Sequence, residues 1–502
     1  MTSPQRSLAL LLLPTAVVAV DLNVLFLAVP ALTADLGATA TQQLWITDVY
    51  GLVVGVLAIV AGAVADRVGR RRLLLCGCAG FLVASLLAAY AASPEALLLA
   101  RVLQGMAGAT LMPSTLALIG DVFPDDAGRA RAIGTWATCQ FAFASLGPVV
   151  GGVLLHWFWW GSVFLLAVPV CATVLVLGRR LLPASRPTDR APRVDLLSAG
   201  LLMAALLALF TVIKACIPGA ATPVWLVGVA VVVVIGAGTV FVRRQRRLVV
   251  PFLDLDLLRE RTIVVSVASL TLVAVVLAGT GFWVTQYLQS VSGFSPLAAA
   301  VAFMPMGLGI GAGSFLAPVL ARRLDPDVLI PAGLVVAALG SLLQLTVTPD
   351  GGYAPMLVAI TLTAFGCGPL FAFGTHRVVS SAPPAASGRA AALAETSNHL
   401  GSSLGFAAVG SLATAVFVLA LRPAVGVLGL DAAPGTMAET RAAATGGSPD
   451  REVVLEALAV AGTDALHAVG IFGAVVLLVC ALLNARRRAP RLATPPAIVS
   501  GP

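Results

Sequence analysis

Leu44–Arg72 reads LWITDVYGLVVGVLAIVAGAVADRVGRRR. Its first part, 44–65, is apolar for the length that an α-helix needs to cross hydrocarbon, about 20 residues, and carries one acid, Asp48. Behind it stand Arg67, Arg70, Arg71 and Arg72, a cluster that a membrane holds on its cytoplasmic side. Working outward, the same alternation continues in both directions. Further apolar runs lie at 8–31, 72–92, 96–119, 132–155, 161–181, 194–214, 223–242, 262–288, 297–321, 328–347, 354–375, 390–420 and 465–485, fourteen in all. The run at 8–31 follows Arg6 as a secretory leader would, yet it continues past Asp21 to Ala31 with thirteen runs behind it, so it reads as the first span.

Composition agrees. Of the 502 residues, 59% are hydrophobic and 11% charged, with mean hydropathy +1.00, whereas a soluble domain carries about 25% charged residues. A soluble enzyme, a secreted disulfide scaffold and a disordered adaptor are excluded. The net charge of +8 does not form a nucleic-acid face, because the arginines sit in short clusters between apolar runs. Only Arg422, Arg441 and Arg451 fall in the opposite set of loops, with Arg101 and Lys214 inside or ending apolar runs. Both termini are therefore expected in the cytoplasm of a bacterial cell. The seven cysteines lie in or at the ends of apolar runs and read as small buried hydrophobes. No metal or other cofactor is expected, and no nucleophile–base pair or phosphate loop marks an enzyme.

The loops divide the chain into a six-helix bundle over 1–182, an inserted helix pair with basic connectors over 183–261, and a second six-helix bundle over 262–502. The segment 421–464 is acidic and rich in Gly and Ala, and reads as a mobile external loop with a short helix near 450–461. Gly62-Ala63-Val64-Ala65-Asp66-Arg67 has a faint counterpart in Ala317-Pro318-Val319-Leu320-Ala321-Arg322-Arg323. Such repeats are typical of transporters in which two bundles rock about a central site.

Nearly all of the 23 acids lie in loops or at span ends; Asp21, Asp48 and Glu395 do not. An acid at the bilayer centre costs about 2.5–3.5 kcal/mol on insertion scales, so it normally faces a cavity and works there. Such a carboxyl can load and release a proton, and when ionised it attracts an organic cation. Proton and cation then compete for one site, the minimal machinery of an antiporter. Phe26, Trp45, Tyr50, Trp136, Phe141 and Trp283 are candidates to receive a cation on a ring face, set against plain packing for each. Glu395, His399 and Ser402 share one helix face, beside Asn398, which makes His399 a candidate proton partner.

The run from Gly62 through Asp66, Arg67, Gly69 and Arg70 to Arg72 resembles the signature loop of the major facilitator superfamily. The resemblance implies a tight turn at the glycines and a cytoplasmic ion-pair latch, with Asp121 as a partner. Arg101-Val102-Leu103-Gln104-Gly105-Met106-Ala107-Gly108 is similar to the family's fourth-span motif, whose buried arginine the resemblance assigns to proton transfer. Gly147-Pro148-Val149-Val150-Gly151-Gly152 is similar to the antiporter motif, with Phe143 where the fuller pattern has a small residue. The surroundings of Asp21, Asp48 and Glu395 resemble the fourteen-span drug:proton antiporters, closest to pumps for quaternary ammonium antiseptics and cationic dyes. The resemblance covers 8–485, and the tenth span lacks the acid that some relatives carry. It implies an exporter of lipophilic, mainly cationic compounds driven by protons, acting as a monomer in the cell membrane. A dedicated exporter of one self-made antibiotic, and a membrane sensor or scaffold without transport, are the alternatives.

Overall fold

The computed structural model describes residues 3–184, 195–218, 222–248, 257–349, 353–382, 387–427, 436–445 and 451–485. They form sixteen α-helices: α1 (Ser3–Leu36), α2 (Ala40–Val68), α3 (Arg70–Ala89), α4 (Pro94–Val122), α5 (Asp126–Trp157), α6 (Ser162–Leu165), α7 (Ala167–Leu181), α8 (Leu196–Ala215), α9 (Val224–Gln245), α10 (Arg261–Ser290), α11 (Pro296–Leu320), α12 (Pro326–Leu343), α13 (Ala354–Ser380), α14 (Ser387–Val427), α15 (Met437–Thr445) and α16 (Arg451–Ala485). Every apolar run falls on a helix, as it must where hydrocarbon offers the backbone no other hydrogen-bond partner. Among the described residues eleven helices are long and apolar enough to cross a membrane, and up to thirteen if each of two bent pairs is one span.

Helix starts follow the sequence. Ser93, Asp125, Asp195 and Ser295 each accept a backbone hydrogen bond from the first turn of α4, α5, α8 and α11. Pro94, Pro296 and Pro326 stand at first helical positions, where a missing N–H is harmless.

In lipid, helices gain little by hiding apolar surface from one another, so association rests on close packing of small residues. On the N-terminal side α1 packs on α5, α2 and α3 on α4, and α3 on α7. On the C-terminal side α10 packs on α14, α11 and α12 on α13, and α12 on α16. The two sets meet along α2–α14, α5–α11 and α1–α10, while α8 and α9 pack on each other and α8 touches α2 and α14. Where the C-terminal part of α5 meets the start of α11, a Cβ on Gly152 would stand 3.0 Å from the Pro296 carbonyl oxygen and 2.9 Å from Leu297 Cα. Only glycine allows that approach.

Pro148 explains the shape of α5, whose parts Arg131–Ala144 and Leu146–Trp157 bend by 43°. Its ring crowds the carbonyl of Ala144 and offers no N–H to it. Gly69 joins α2 to α3 at φ 100°, ψ 126°, donating its N–H to the Ala65 carbonyl. A side chain there is strained by about 1–3 kcal/mol, whereas a Cβ on Gly62 meets open space. Gly69→Ala is expected to lower the thermal midpoint of detergent-solubilised protein, with Gly62→Ala as the unaffected control.

The segment 421–464 is a correction to the sequence reading. α14 runs on to Val427, and the helix expected near 450–461 is the first part of α16, continuous with the last span. Between them α15 starts with its own capping box, in which Thr436 and Glu439 exchange backbone-to-side-chain bonds of 3.1 Å. α15 packs on α1, α10 and α16, and Arg441 donates to the Ser290 carbonyl at 2.6 Å. A helix therefore caps the C-terminal end of α10, a contact between distant segments that no local pattern reveals.

The expected connectors at 182–193 and 243–261 fall partly outside the described residues. At their described edge, Asp195 accepts from Arg244 at 3.1 Å and from the Ser198 hydroxyl at 2.5 Å, clipping α8 to α9. Burial alone would raise the Asp195 carboxyl, but the Ser198 bonds and the Arg244 guanidinium outweigh it and hold it below its ordinary 3.8. A carboxyl lowered by folding stabilises above its ordinary titration range, and the contribution is lost as pH falls through the lowered value. Asp195→Asn should therefore lower the thermal midpoint at pH 7, where the contribution is fully present, and flatten its further fall below about pH 4.

Candidate functional site

Asp21 lies on α1 where its two parts, Pro4–Asp21 and Val24–Leu36, bend by 48°. Arg101 reaches it from α4: its Nη1 donates to Asp21 Oδ2 and to Gln104 Oε1, each at 2.8 Å. Gln104, one turn on along the same face, donates through Nε2 to Asp21 Oδ1 at 3.0 Å and to Ser85 Oγ of α3 at 3.1 Å. The Tyr50 ring of α2 lies under the guanidinium, 4.4 Å from Cζ to centroid, with Phe164 of α6 at 5.7 Å. The Arg101 side chain is 1% exposed and that of Asp21 6%. Five elements thus converge on one buried ion pair. Two polar groups in it, Arg101 Nε and the Tyr50 hydroxyl, have no hydrogen-bond partner among the described residues.

Asp48 has a different partner. Lys214 Nζ, from α8, lies 2.8 Å from Asp48 Oδ2 and 3.4 Å from the centroid of Trp45, with both charged side chains at most 1% exposed. Sequence reading missed this pairing. The available signal was that Lys214 is the chain's single lysine, placed at the end of an apolar helix. Gln104 and Ser85 were also missed; Gln104 was legible as the residue three after Arg101.

His399 is buried on α14 and packs against Gly55 of α2, on the seam between the two sets of helices. Ser397 and Ser402 turn their hydroxyls back to the Leu393 and Asn398 carbonyls of their own helix. The side chain of Glu395 lies outside the described residues, as do those of Asp66 and Phe141.

The aromatic candidates separate. Phe26 meets Phe406 edge-on at 5.1 Å across the α1–α14 contact, and Tyr50 belongs to the Asp21 cluster. Trp136 donates to Thr115 Oγ1 at 3.2 Å. Trp283 donates to the Gly462 carbonyl at 3.5 Å and sits beside Phe417 at 6.3 Å, within packing of α10, α14 and α16.

At the other end, Arg70 Nη1, just past the Gly69 turn, lies 2.6 Å from Asp121 Oδ1 and joins α3 to α4, with both side chains about one third exposed. Arg71 donates to the Leu182 carbonyl at 3.0 Å, and Arg67 is exposed. Of the antiporter residues, Gly147 and Pro148 are buried, Gly151 faces Val24 of α1 and Gly152 faces α11. Among the described residues no group of three or more His, Cys, Asp or Glu side chains converges as metal ligands.

The model of the Major Facilitator Superfamily matches residues 11–406. The multidrug efflux pump LfrA of Mycolicibacterium smegmatis is 40% identical over 82% of this chain and 81% of its own length. The methyl viologen resistance protein SmvA of Salmonella typhimurium is 31% identical over 84% and 85%. The puromycin resistance protein pur8 of Streptomyces alboniger is 33% identical over 82% of each. Among solved structures, a bacterial homologue of the lysosomal transporter Spinster superposes with TM-score 0.68 at 17% identity, over 98% of this chain and 99% of that one.

Proposed function

The chain belongs to the major facilitator superfamily, and from that premise we propose that it exports lipophilic, mainly cationic compounds across the cytoplasmic membrane in exchange for protons. The observation that carries the reading is the buried Asp21–Arg101–Gln104 cluster. Arg101 and Gln104 supply this deeply placed carboxyl with the hydrogen bonds that water would otherwise provide. Protonation of Asp21 removes the negative partner of Arg101, and an organic cation that draws on the same carboxylate weakens the same bond. Proton and cargo are therefore mutually exclusive at Asp21, which is what exchange requires.

The architecture supports a cycle in which the bundles 1–182 and 262–502 rock about their shared seams. Close packing of the α5–α11 seam at Gly152, on the side that the arginine pattern assigns to the outside, supports a state open toward the cytoplasm. Cargo enters from inside as Asp21 or Glu395 loses its proton, and the protein then rocks outward, where reprotonation releases it. His399, on the α2–α14 seam, would pass a proton to or from Glu395. Arg70 and Asp121, with Asp66 and Arg67 of the same sequence motif, bias the inward–outward balance. The kinked, glycine-edged α5 sets how tightly the outer seam closes. Both termini lie in the cytoplasm, the fourteen apolar runs are the spans, and the monomer suffices for the cycle. Phe26 and Trp136 are the remaining aromatic candidates for the cargo path.

A narrower reading, export of a single antibiotic, draws on the puromycin resistance protein among the relatives. A resistance panel of dyes, quaternary ammonium antiseptics and antibiotics separates the two, since protection against one compound alone supports the narrow reading. Proton release on adding ethidium to purified protein tests coupling; transport without release would contradict the exchange mechanism.

A further inference from the structure

Asp48 and Trp45 stand three residues apart on one face of α2, so a carboxylate and an indole ring face the same space. That is the chemistry of a cage for an organic cation. The space is filled by the chain itself. Lys214 Nζ lies 2.8 Å from Asp48 Oδ2, 3.4 Å over the Trp45 ring and 5.7 Å from Phe210. Around the pair, Leu52, Phe210 and Ala407 form an apolar cluster against which Trp45 and Leu404 pack, from α2, α8 and α14. Neither Asp48 oxygen has another hydrogen-bond partner among the described residues. The ammonium of Lys214 is thus the carboxylate's compensation, and a buried charge without one is not tolerated.

The position of the pair matters as much as its contacts. Asp48 and Tyr50 are two residues apart, about 200° around a helix, so Asp48 points away from the Asp21–Arg101 cluster that Tyr50 joins. It points instead at α8, whose other contacts with the bundle run along α2 and α14.

We propose that Lys214 is a tethered counter-cation: it occupies the Asp48–Trp45 cage, withholds Asp48 from proton and cargo, and fixes the inserted helix pair to α2. The inference rests on the exchange reading above, and it changes the expected part of Asp48, which then carries charge without carrying traffic. The ion pair moves with α2 as the bundles rock, and the coupled proton belongs to Asp21 or Glu395.

The test compares Lys214→Met, Asp48→Asn and the double variant, with ethidium export normalised to membrane expression and protons released per ethidium measured on purified protein. Each single variant leaves one buried charge unpaired and should lose export by at least about tenfold. The double variant, with neither charge, should recover export to within about threefold of wild type at an unchanged proton count. A double variant no better than the singles, one that fails to accumulate, a lowered proton count, or a single variant at wild-type level each overturns the proposal. Absence of ethidium-dependent proton release in wild-type protein would instead defeat the exchange reading itself.

Discussion

Asp21→Asn is expected to abolish uphill export and, because it leaves the buried Arg101 guanidinium without its counter-charge, also to lower membrane levels, so that transport is compared at matched expression. Asparagine keeps the shape and still accepts a hydrogen bond from Arg101, which also retains Gln104 as an acceptor at 2.8 Å. What disappears is the group to which the proposed cycle assigns proton uptake in one orientation and release in the other. For one proton exchanged against one monovalent cation the cycle is electroneutral, so each pH unit across the membrane sustains about a tenfold cargo gradient. In everted vesicles with an imposed gradient of about two units, wild-type protein should concentrate ethidium roughly a hundredfold and the variant should only equilibrate it. Persistent uphill transport by Asp21→Asn at matched expression would remove Asp21 from the mechanism and leave Glu395 to carry coupling alone.

Arg101→Met has the second largest expected effect, and it acts on folding before transport. The substitution strands the Asp21 carboxylate in a site 6% exposed, and breaking a buried pair from one side costs about 3–5 kcal/mol. A loss of that size is a large share of the total stability of about 5–15 kcal/mol typical of a folded protein, so membrane levels should fall sharply. Arg101→Lys should be intermediate. It keeps the charge but loses the planar fork by which one nitrogen serves both Asp21 and Gln104 and the guanidinium lies on Tyr50. In a double cycle, Asp21→Asn placed on Arg101→Met should restore part of the accumulation. An Arg101→Met protein as abundant and as heat-stable as wild type would show that the pair is not what holds α1 to α4.

The two buried pairs show where sequence reasoning succeeds and where it stops. Asp21 was identifiable because an acid within an apolar run is costly, and the run of residues around Arg101 named its helix. That Arg101 binds Asp21 follows from the way α1, α2, α3, α4 and α6 meet, across 80 positions of chain. Lys214 carried less signal still: its significance depends on Asp48 being 2.8 Å away, on a helix more than 140 residues earlier.

The fold class and the helices were legible from the chain alone, because their causes are local. Hydrocarbon demands that each span satisfy its own backbone, arginine clusters set the loops apart, and Ser, Asp and Pro mark the helix starts. The turn at Gly69 and the kink before Pro148 were local as well. Which carboxylate faces which cation, which aromatic rings meet charge and which merely pack, and the helix that caps the C-terminal end of α10 were settled only in three dimensions. Ion pairs and ring contacts act over about 3–6 Å, and residues at that distance here come from segments that share no local pattern.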